Sequence, residues 1–305
     1  MGPIPTFSRD FPRITIHRPG RTVNLVPMAD NFIDDLRLAH MLADAADTIT
    51  MDRFRARDLD VNLKSDRTEV SDADTAVEQT IRRTLATARP RDAFHGEESG
   101  DSGWGPRRWI LDPIDGTANY VRGVPVWATL IALMIDNEPV VSVVSAPSLS
   151  RRWWAHRGGG AYTGKGLLQG RKITASKVTR VSDSFLSYSS LDGWVQSGRG
   201  HQFGDLLRTA KRTRAFGDFW SYMLVAEGAV DVACEPELAL HDMAALVPIV
   251  TEAGGRFTSI DGVPGPVGPG ALATNGIVHN EALRILSVDE DEDAEDSLII
   301  PRRAM

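Results

Sequence analysis

Two aspartates three residues apart are the most chemically suggestive feature of this chain. Asp112 and Asp115 follow the apolar run Trp109-Ile110-Leu111, and Pro113 and Gly116 punctuate the segment. An apolar strand running into a Pro/Gly turn would deliver both carboxylates to one rigid edge. Oxygen-only ligands at such an edge suit a hard cation such as Mg2+. The backbone N–H groups of Gly116 and Thr117 could cradle a phosphate at the start of a following helix. In isolation the two acids read as ordinary turn formers.

Three further acidic features change that balance. Gly96-Glu97-Glu98 follows the strand-like Ala93-Phe94-His95 and places paired acids at another strand end. Asp242 stands where a helix opens after the segment Glu235 to His241. The stretch Lys64 to Asp74 carries Asp66, Asp72 and Asp74. Each has a plainer alternative: a solvated loop for Glu97 and Glu98, a helix N-cap for Asp242, an exposed loop or a cap for Lys64 to Asp74. Four acid-bearing strand or helix ends in one chain are much harder to set aside than any one of them.

These acids need elements to hold them. Asn31 followed by Asp34 and Asp35 predicts a helix start, and Ile33, Leu36, Ala39, His40, Ala43, Ala46 and Ile49 recur at helical spacing. Ser71-Asp72 predicts a second helix through Ala76, Val77, Ile81 and Leu85. Arg108 to Asp112 reads as a short strand. Val126 to Ile135 and Val140 to Ala146 read as a hairpin about Asp136 to Pro139, with Arg151 to His156 as the next strand. The second half alternates: strands at Phe185 to Ser189, Val230 to Glu235 and Ala271 to Thr274, and helices at His201 to Lys211, Phe219 to Glu227 and Asp242 to Ala253. The last of these is closed by Gly254-Gly255. A meander followed by alternation predicts a layered α/β or α+β architecture.

Bulk properties exclude little. With 34 Lys+Arg against 41 Asp+Glu, the net charge of -7 argues against a general nucleic-acid binder. It leaves a phosphorylated substrate open, because a bound cation inverts the local field. The single cysteine, Cys234, permits no internal disulfide and reads as a small buried residue. The absence of a long apolar run predicts no membrane span, and a cytoplasmic protein is the expectation. Residues 1–29 read as an irregular leader, 30–286 as one domain and 287–305 as an acidic tail. Trp127, Trp153 and Trp154 read as core or interface anchors.

Taken together, the segment Trp109 to Tyr120, the upstream Gly96-Glu97-Glu98 and the later Asp242-Met243-Ala244-Ala245-Leu246 with Glu252-Ala253-Gly254-Gly255 resemble the inositol-monophosphatase family. The similarity spans roughly residues 31–286. It implies an αβαβα sandwich of the inositol-monophosphatase/fructose-1,6-bisphosphatase type. Finer wording resembles the bacterial histidinol-phosphate phosphatases of that family. It lies in Val121 to Trp127, Val144 to Pro147, Arg151 to Ala155, Phe216-Gly217-Asp218-Phe219, Tyr222 to Asp231 and Cys234-Glu235-Pro236.

The resemblance implies a magnesium-dependent phosphatase of small phosphorylated metabolites, a homodimer, with two to three Mg2+ ions. One ion would be held by Glu97, Asp112 and the Ile114 carbonyl, a second by Asp112, Asp115 and Asp242, and a third would lie near Glu97. Asp74 and Thr117, assisted by Glu97, would orient the attacking water, and Gly116 and Thr117 would bind phosphate oxygens. Lys64 could help hold the acidic loop, its plainer alternative being a surface lysine. Glu235 matches a substrate-contacting position. Asp218 is a second acid suited to a substrate ammonium, its alternative being a helix N-cap. The expected substrate is L-histidinol phosphate. Rivals are inositol 1-phosphate, bisphosphorylated sugars and 3'-phosphonucleotides, and a different class is a catalytically inactive binding protein. Two positions depart from the family pattern: His241 stands where Trp is usual, and Ala118 where Lys or Thr is common.

Overall fold

The computed structural model describes residues 32–64 and 68–287. The proposed leader, Asn31, Asp66 and the tail beyond Ser287 lie outside those residues. Within them the chain folds as five layers. The first is the helix pair Ile33–Arg53 and Asp72–Ala88. Next comes an eight-stranded sheet, then a middle layer led by Asp218–Ala226, Leu240–Ala244 and Leu246–Glu252, then a five-stranded sheet. The helices Gly200–Thr209 and His279–Leu286 cover the far side. This is the αβαβα order expected.

Alternation builds the layers. Along the large sheet, Trp109, Leu111, Ile131, Leu133, Val141, Val143 and Trp154 face the first helix pair. Ile110, Leu130, Ala132, Val144, Trp153 and Ala155 face the middle helices. The adjacent Trp153 and Trp154 thus anchor two different cores, and Trp127 is fully buried in a third cluster with Ala73, Ile114 and Tyr120. A further core under the small sheet includes Leu186, Val232, Cys234 and Leu272.

The strand carrying the two aspartates differs from expectation. It runs on through the Pro/Gly segment, as Arg107–Asp115, pairing parallel with Ala93–Gly96 and antiparallel with Ala128–Ile135. Its register against the latter shifts between Asp112, opposite Leu130, and Asp115, opposite Ala128. Three residues here answer two on the partner, which is a β-bulge. Pro113, which has no N–H to donate, sits inside it. The Pro113 carbonyl accepts the buried Thr129 hydroxyl at 2.7 Å. In an unbroken strand, residues three apart face opposite sides of the sheet. The extra residue turns Asp115 onto the face of Asp112, because Leu130 and Ala128 share the middle-layer core.

Other boundaries also moved. The helix expected over Asp242 to Ala253 is two, Leu240–Ala244 and Leu246–Glu252, with Pro248 in the first turn of the second. Several elements were not foreseen, among them the ribbon Val61–Leu63 with Glu69–Ser71 and the strand Gly160–Gly164, whereas the helix expected after Gly116 is present as Thr117–Val121.

Candidate metal and phosphate site

The bulged strand, the Gly96-Glu97-Glu98 turn and the start of Leu240–Ala244 meet at one end of the large sheet. One carboxylate oxygen from each of Asp112, Asp115 and Asp242 falls within 4.8 Å of the others. Asp112 is 2% exposed. Its Oδ1 is buried without a hydrogen-bond partner. Burial pushes its pKa well above the carboxylate range, and the charges of Glu97, Asp115 and Asp242 push it further. Asp115 is raised by burial and then by Asp218 and Asp242, although its Oδ2 accepts the Phe219 N–H at 2.8 Å. Asp242 is raised chiefly by burial, with the nearby His241 opposing. Oxygen ligands alone, close-set, repelling one another and with an orphaned atom among them, fit a hard divalent cation.

Asp242 is at the third helical position and is not the N-cap. Its Oδ2 accepts the N–H of Ala239 at 2.7 Å, which fixes the carboxylate against the helix start. Glu97 is placed by the parallel pairing of Ala93–Gly96 with the aspartate strand, and its N–H bonds the Leu111 carbonyl at 3.2 Å. It comes within hydrogen-bonding reach of Asp112 but stands outside the three-carboxylate group. Its Oε1 is held instead by Lys64 Nζ at 2.6 Å, which also lies 2.8 Å from Glu98. Lys64 is therefore no plain surface lysine. Burial pulls its pKa down, but the bonds to Glu97 and Glu98 outweigh that and leave it raised.

Gly116 takes φ 84° as the N-cap of Thr117–Val121. A Cβ there would come 3.0 Å from both Asp218 Oδ2 and the Val126 carbonyl, so the turn needs glycine twice over. The Thr117 hydroxyl donates to the Ile114 carbonyl at 2.8 Å, leaving that oxygen one lone pair. Asp74 lies on the second helix, fully buried, and its Oδ2 accepts the Ser71 N–H at 2.8 Å and the Ser71 hydroxyl at 2.6 Å. Its Oδ1 is buried and unpaired. Burial raises it to about 7 against the Ser71 bonds, with Glu97 and Glu98 adding to the rise.

A second acidic pair flanks the cluster. Asp218 is the first residue of its helix, after the N-cap Gly217, so the N-cap alternative does not hold. Its φ is +46°, rare outside glycine. Asn119 Nδ2 donates to its Oδ2 at 2.9 Å, and its own N–H donates to Ser189 Oγ at 2.8 Å. Burial, then Asp242, raises it to about 6. Glu235 ends the strand Val232–Glu235, with Oε1 buried and unpaired beside Ser189 and the buried, unpaired Tyr222 hydroxyl. Burial and then Asp218 raise it to about 8.

The two departures from the family pattern differ in consequence. Ala118 is exposed. His241 stacks on His95 with ring centroids 6.1 Å apart, and its Nε2 lies 3.6 Å from Asp242 Oδ1. Sequence reasoning missed Asn119 as the partner of Asp218, and it missed Glu78. Glu78 accepts the N–H groups of Glu98 and Ser99 at 2.8 and 2.9 Å. The available signal was its place on the buried face of the second helix with Ala73, Asp74, Val77, Ile81 and Leu85, where a carboxylate is out of pattern.

The chain is similar to known proteins over most of its length. The model of the inositol monophosphatase family matches residues 34–293. A histidinol-phosphatase of Streptomyces coelicolor is 59% identical over 261 residues, 84% of this chain and 98% of that protein. One from Mycobacterium tuberculosis is 53% identical over 83% of this chain and 98% of its own length. Among solved structures, an inositol monophosphatase from Zymomonas mobilis superposes with a TM-score of 0.73 at 30% identity, covering 85% of this chain and 99% of that one. The extragenic suppressor protein suhB of Bartonella henselae gives 0.75 at 28% identity, covering 83% and 98%.

Proposed function

This chain belongs to the inositol monophosphatase family, and from that premise we propose that it is a Mg2+-dependent phosphatase releasing phosphate from L-histidinol phosphate. The observation that carries the phosphatase reading is the mutual approach of Asp112, Asp115 and Asp242, with Asp112 Oδ1 buried and unpaired. The substrate follows from the two histidinol-phosphatases, which match over nearly their whole length.

Glu97, Asp112 and the Ile114 carbonyl would hold one ion, and Asp112, Asp115 and Asp242 a second. A third would lie near Glu97. Bound Mg2+ would supply screening of the phosphate charge, a more acidic water and stabilisation of the leaving alkoxide. The chain's own groups do the rest. The N–H groups of Gly116 and Thr117 bind phosphate oxygens at the left-handed turn. Thr117 and Asp74 orient the attacking water with help from Glu97. Asp74 Oδ1, the free oxygen of a carboxyl raised to about 7, is suited to take its proton. At the other end, Asp218 and Glu235 receive the substrate ammonium. A buried carboxylate that would otherwise hold a proton is ionised by such a partner.

The reading also takes the protein to be a cytoplasmic homodimer with its catalytic domain over residues 30–286. The compartment is supported by a lone, buried and free Cys234, and the dimer by the family resemblance. Among the described residues, no helix is long and apolar enough to cross a membrane. Light scattering of the purified protein tests the dimer.

The deciding experiment is phosphate release with Mg2+ from L-histidinol phosphate, inositol 1-phosphate, fructose 1,6-bisphosphate and 3'-phosphoadenosine 5'-phosphate. A clear kcat/KM preference for the first is expected. A preference for another keeps the cation chemistry and overturns the ammonium pocket. No turnover of any substrate favours an inactive binding protein.

A further inference from the structure

Glu78 has no place in the chemistry so far, yet it is 2% exposed and lies one turn after Asp74 on the same buried helix face. Both its oxygens are used: Oε2 accepts the Glu98 N–H at 2.8 Å and Oε1 the Ser99 N–H at 2.9 Å. The N–H before them, that of Glu97, bonds the Leu111 carbonyl on the strand that carries Asp112. Three successive amides of the Glu97 turn are thus fixed, one to the Asp112 strand and two to Glu78. Gly96 lies against the same carboxylate. A Cβ at residue 96 would come 2.4 Å from Glu78 Cδ, so the turn and the helix approach closely at this point. Among the described residues no lysine or arginine pairs with Glu78. A glutamine would set an NH2 where one of these oxygens stands, so it cannot accept one N–H on each terminal atom as the carboxylate does.

We propose that Glu78 is a positioning residue of the cation site: by gripping the Glu98 and Ser99 amides it holds the Glu97 carboxylate at Asp112, and so sets the affinity of the ion shared by those two residues. This rests on the metal reading given above. Partners behind metal ligands typically alter affinity by about 10–100-fold when removed.

Mn2+ titration of the full-length protein, followed by electron paramagnetic resonance, tests it with wild type, E78Q, E97Q and E78Q/E97Q. E78Q should weaken Mn2+ binding at the sites that use Glu97 about tenfold or more and leave the Asp112, Asp115 and Asp242 site as in wild type. Added to E97Q, it should cost nothing further, because both changes act on one ligand. Wild-type affinity in a folded E78Q overturns the inference alone. So does an equal loss at every site, or the same loss again in the E97Q background, since those are the marks of a general structural role. A wild-type protein that takes up no Mn2+ overturns the metal reading itself and the inference with it. If E78Q does not fold, G96A reaches the contact from the other side, its Cβ displacing the Glu78 carboxylate. A folded G96A with unchanged Mn2+ binding then overturns the inference.

Discussion

A carboxylate buried among other carboxylates needs a proton or a cation to share its charge. Asp112 is the extreme case, and Asp112→Asn should therefore do two opposite things. Turnover should fall by more than about 100-fold, the scale on which one group that stabilises transition-state charge is felt. The metal-free protein should melt no lower than wild type, because a neutral amide removes both the burial penalty on a charge and the repulsion from Glu97, Asp115 and Asp242 that raise Asp112. Steady-state kinetics and thermal melting in a chelator check both halves. Retained activity in a folded variant would end the cation assignment. Glu235→Gln tests the other end of the site. A hydrogen bond to a charged group is worth about 1.5–3 kcal/mol, so the KM for L-histidinol phosphate should rise roughly tenfold or more. The KM for inositol 1-phosphate, which has no ammonium, should rise less, and equal rises would remove Glu235 from that role.

At the scale of elements, the acidic ends were legible because strand and helix termini carry residues chosen for direction. Trp109 to Asp112 announces a strand delivering an acid, and Ser71-Asp72 announces a helix start. The bulge was not legible. Pro113 and Gly116 signal a turn as readily as a strand with one extra residue, and only the register against Leu130 and Ala128 tells them apart. Asp242 and Asp218 looked like caps because an acid near a helix start has several stable positions, the third and the first among them. Asn119 and Glu78 escaped for a different reason: their partners, Asp218 and the Glu98 and Ser99 amides, are distant in sequence. Glu252, visible within Glu252-Ala253-Gly254-Gly255, has an element-scale duty too. Its carboxylate accepts the N–H groups of Gly158 and Gly160 at 2.7 and 2.8 Å, closing the turn between Arg151–His156 and Gly160–Gly164. Glu252→Ala should lower stability by about 2 kcal/mol in urea denaturation. It should leave kcat unchanged, and an unchanged unfolding midpoint would show that the turn closes without it.

The whole molecule carries two opposed sets of buried titratable groups, and their sum fixes how stability depends on pH. Asp218, Asp74 and Glu235 are raised in the fold to about 6, 7 and 8, in each case chiefly by burial. The folded protein holds these protons where the unfolded chain has released them. Their contribution is therefore complete below the unfolded carboxyl range near pH ~4, and it is lost progressively as pH rises from there through the folded values of about 6, 7 and 8. His40 and His279 work the other way. Burial, then Arg152 for His40 and Arg256 for His279, lowers both to about 4. Both ring nitrogens of His279 are engaged by hydroxyls, those of Thr258 and Thr274, each at 3.0 Å. The fold favours the neutral rings, so their contribution is complete above about 6.5 and is lost as pH falls toward 4. Between pH ~4 and ~6.5 the two sets oppose one another, three acids against two imidazoles, and above ~6.5 only the acids still titrate, so the metal-free protein should lose stability steadily from there to about pH 8. Saturating Mg2+ should change only the alkaline side, because a divalent charge beside the acids replaces the protons they would otherwise need. Melting temperatures from pH 5 to 9, in chelator and in Mg2+, should separate increasingly above pH ~6 and nearly coincide below it, where the acids are already protonated. A metal-free protein that gained stability between pH 6 and 8, or a Mg2+ effect largest at acid pH, would show that these carboxylates are not the groups the cation relieves.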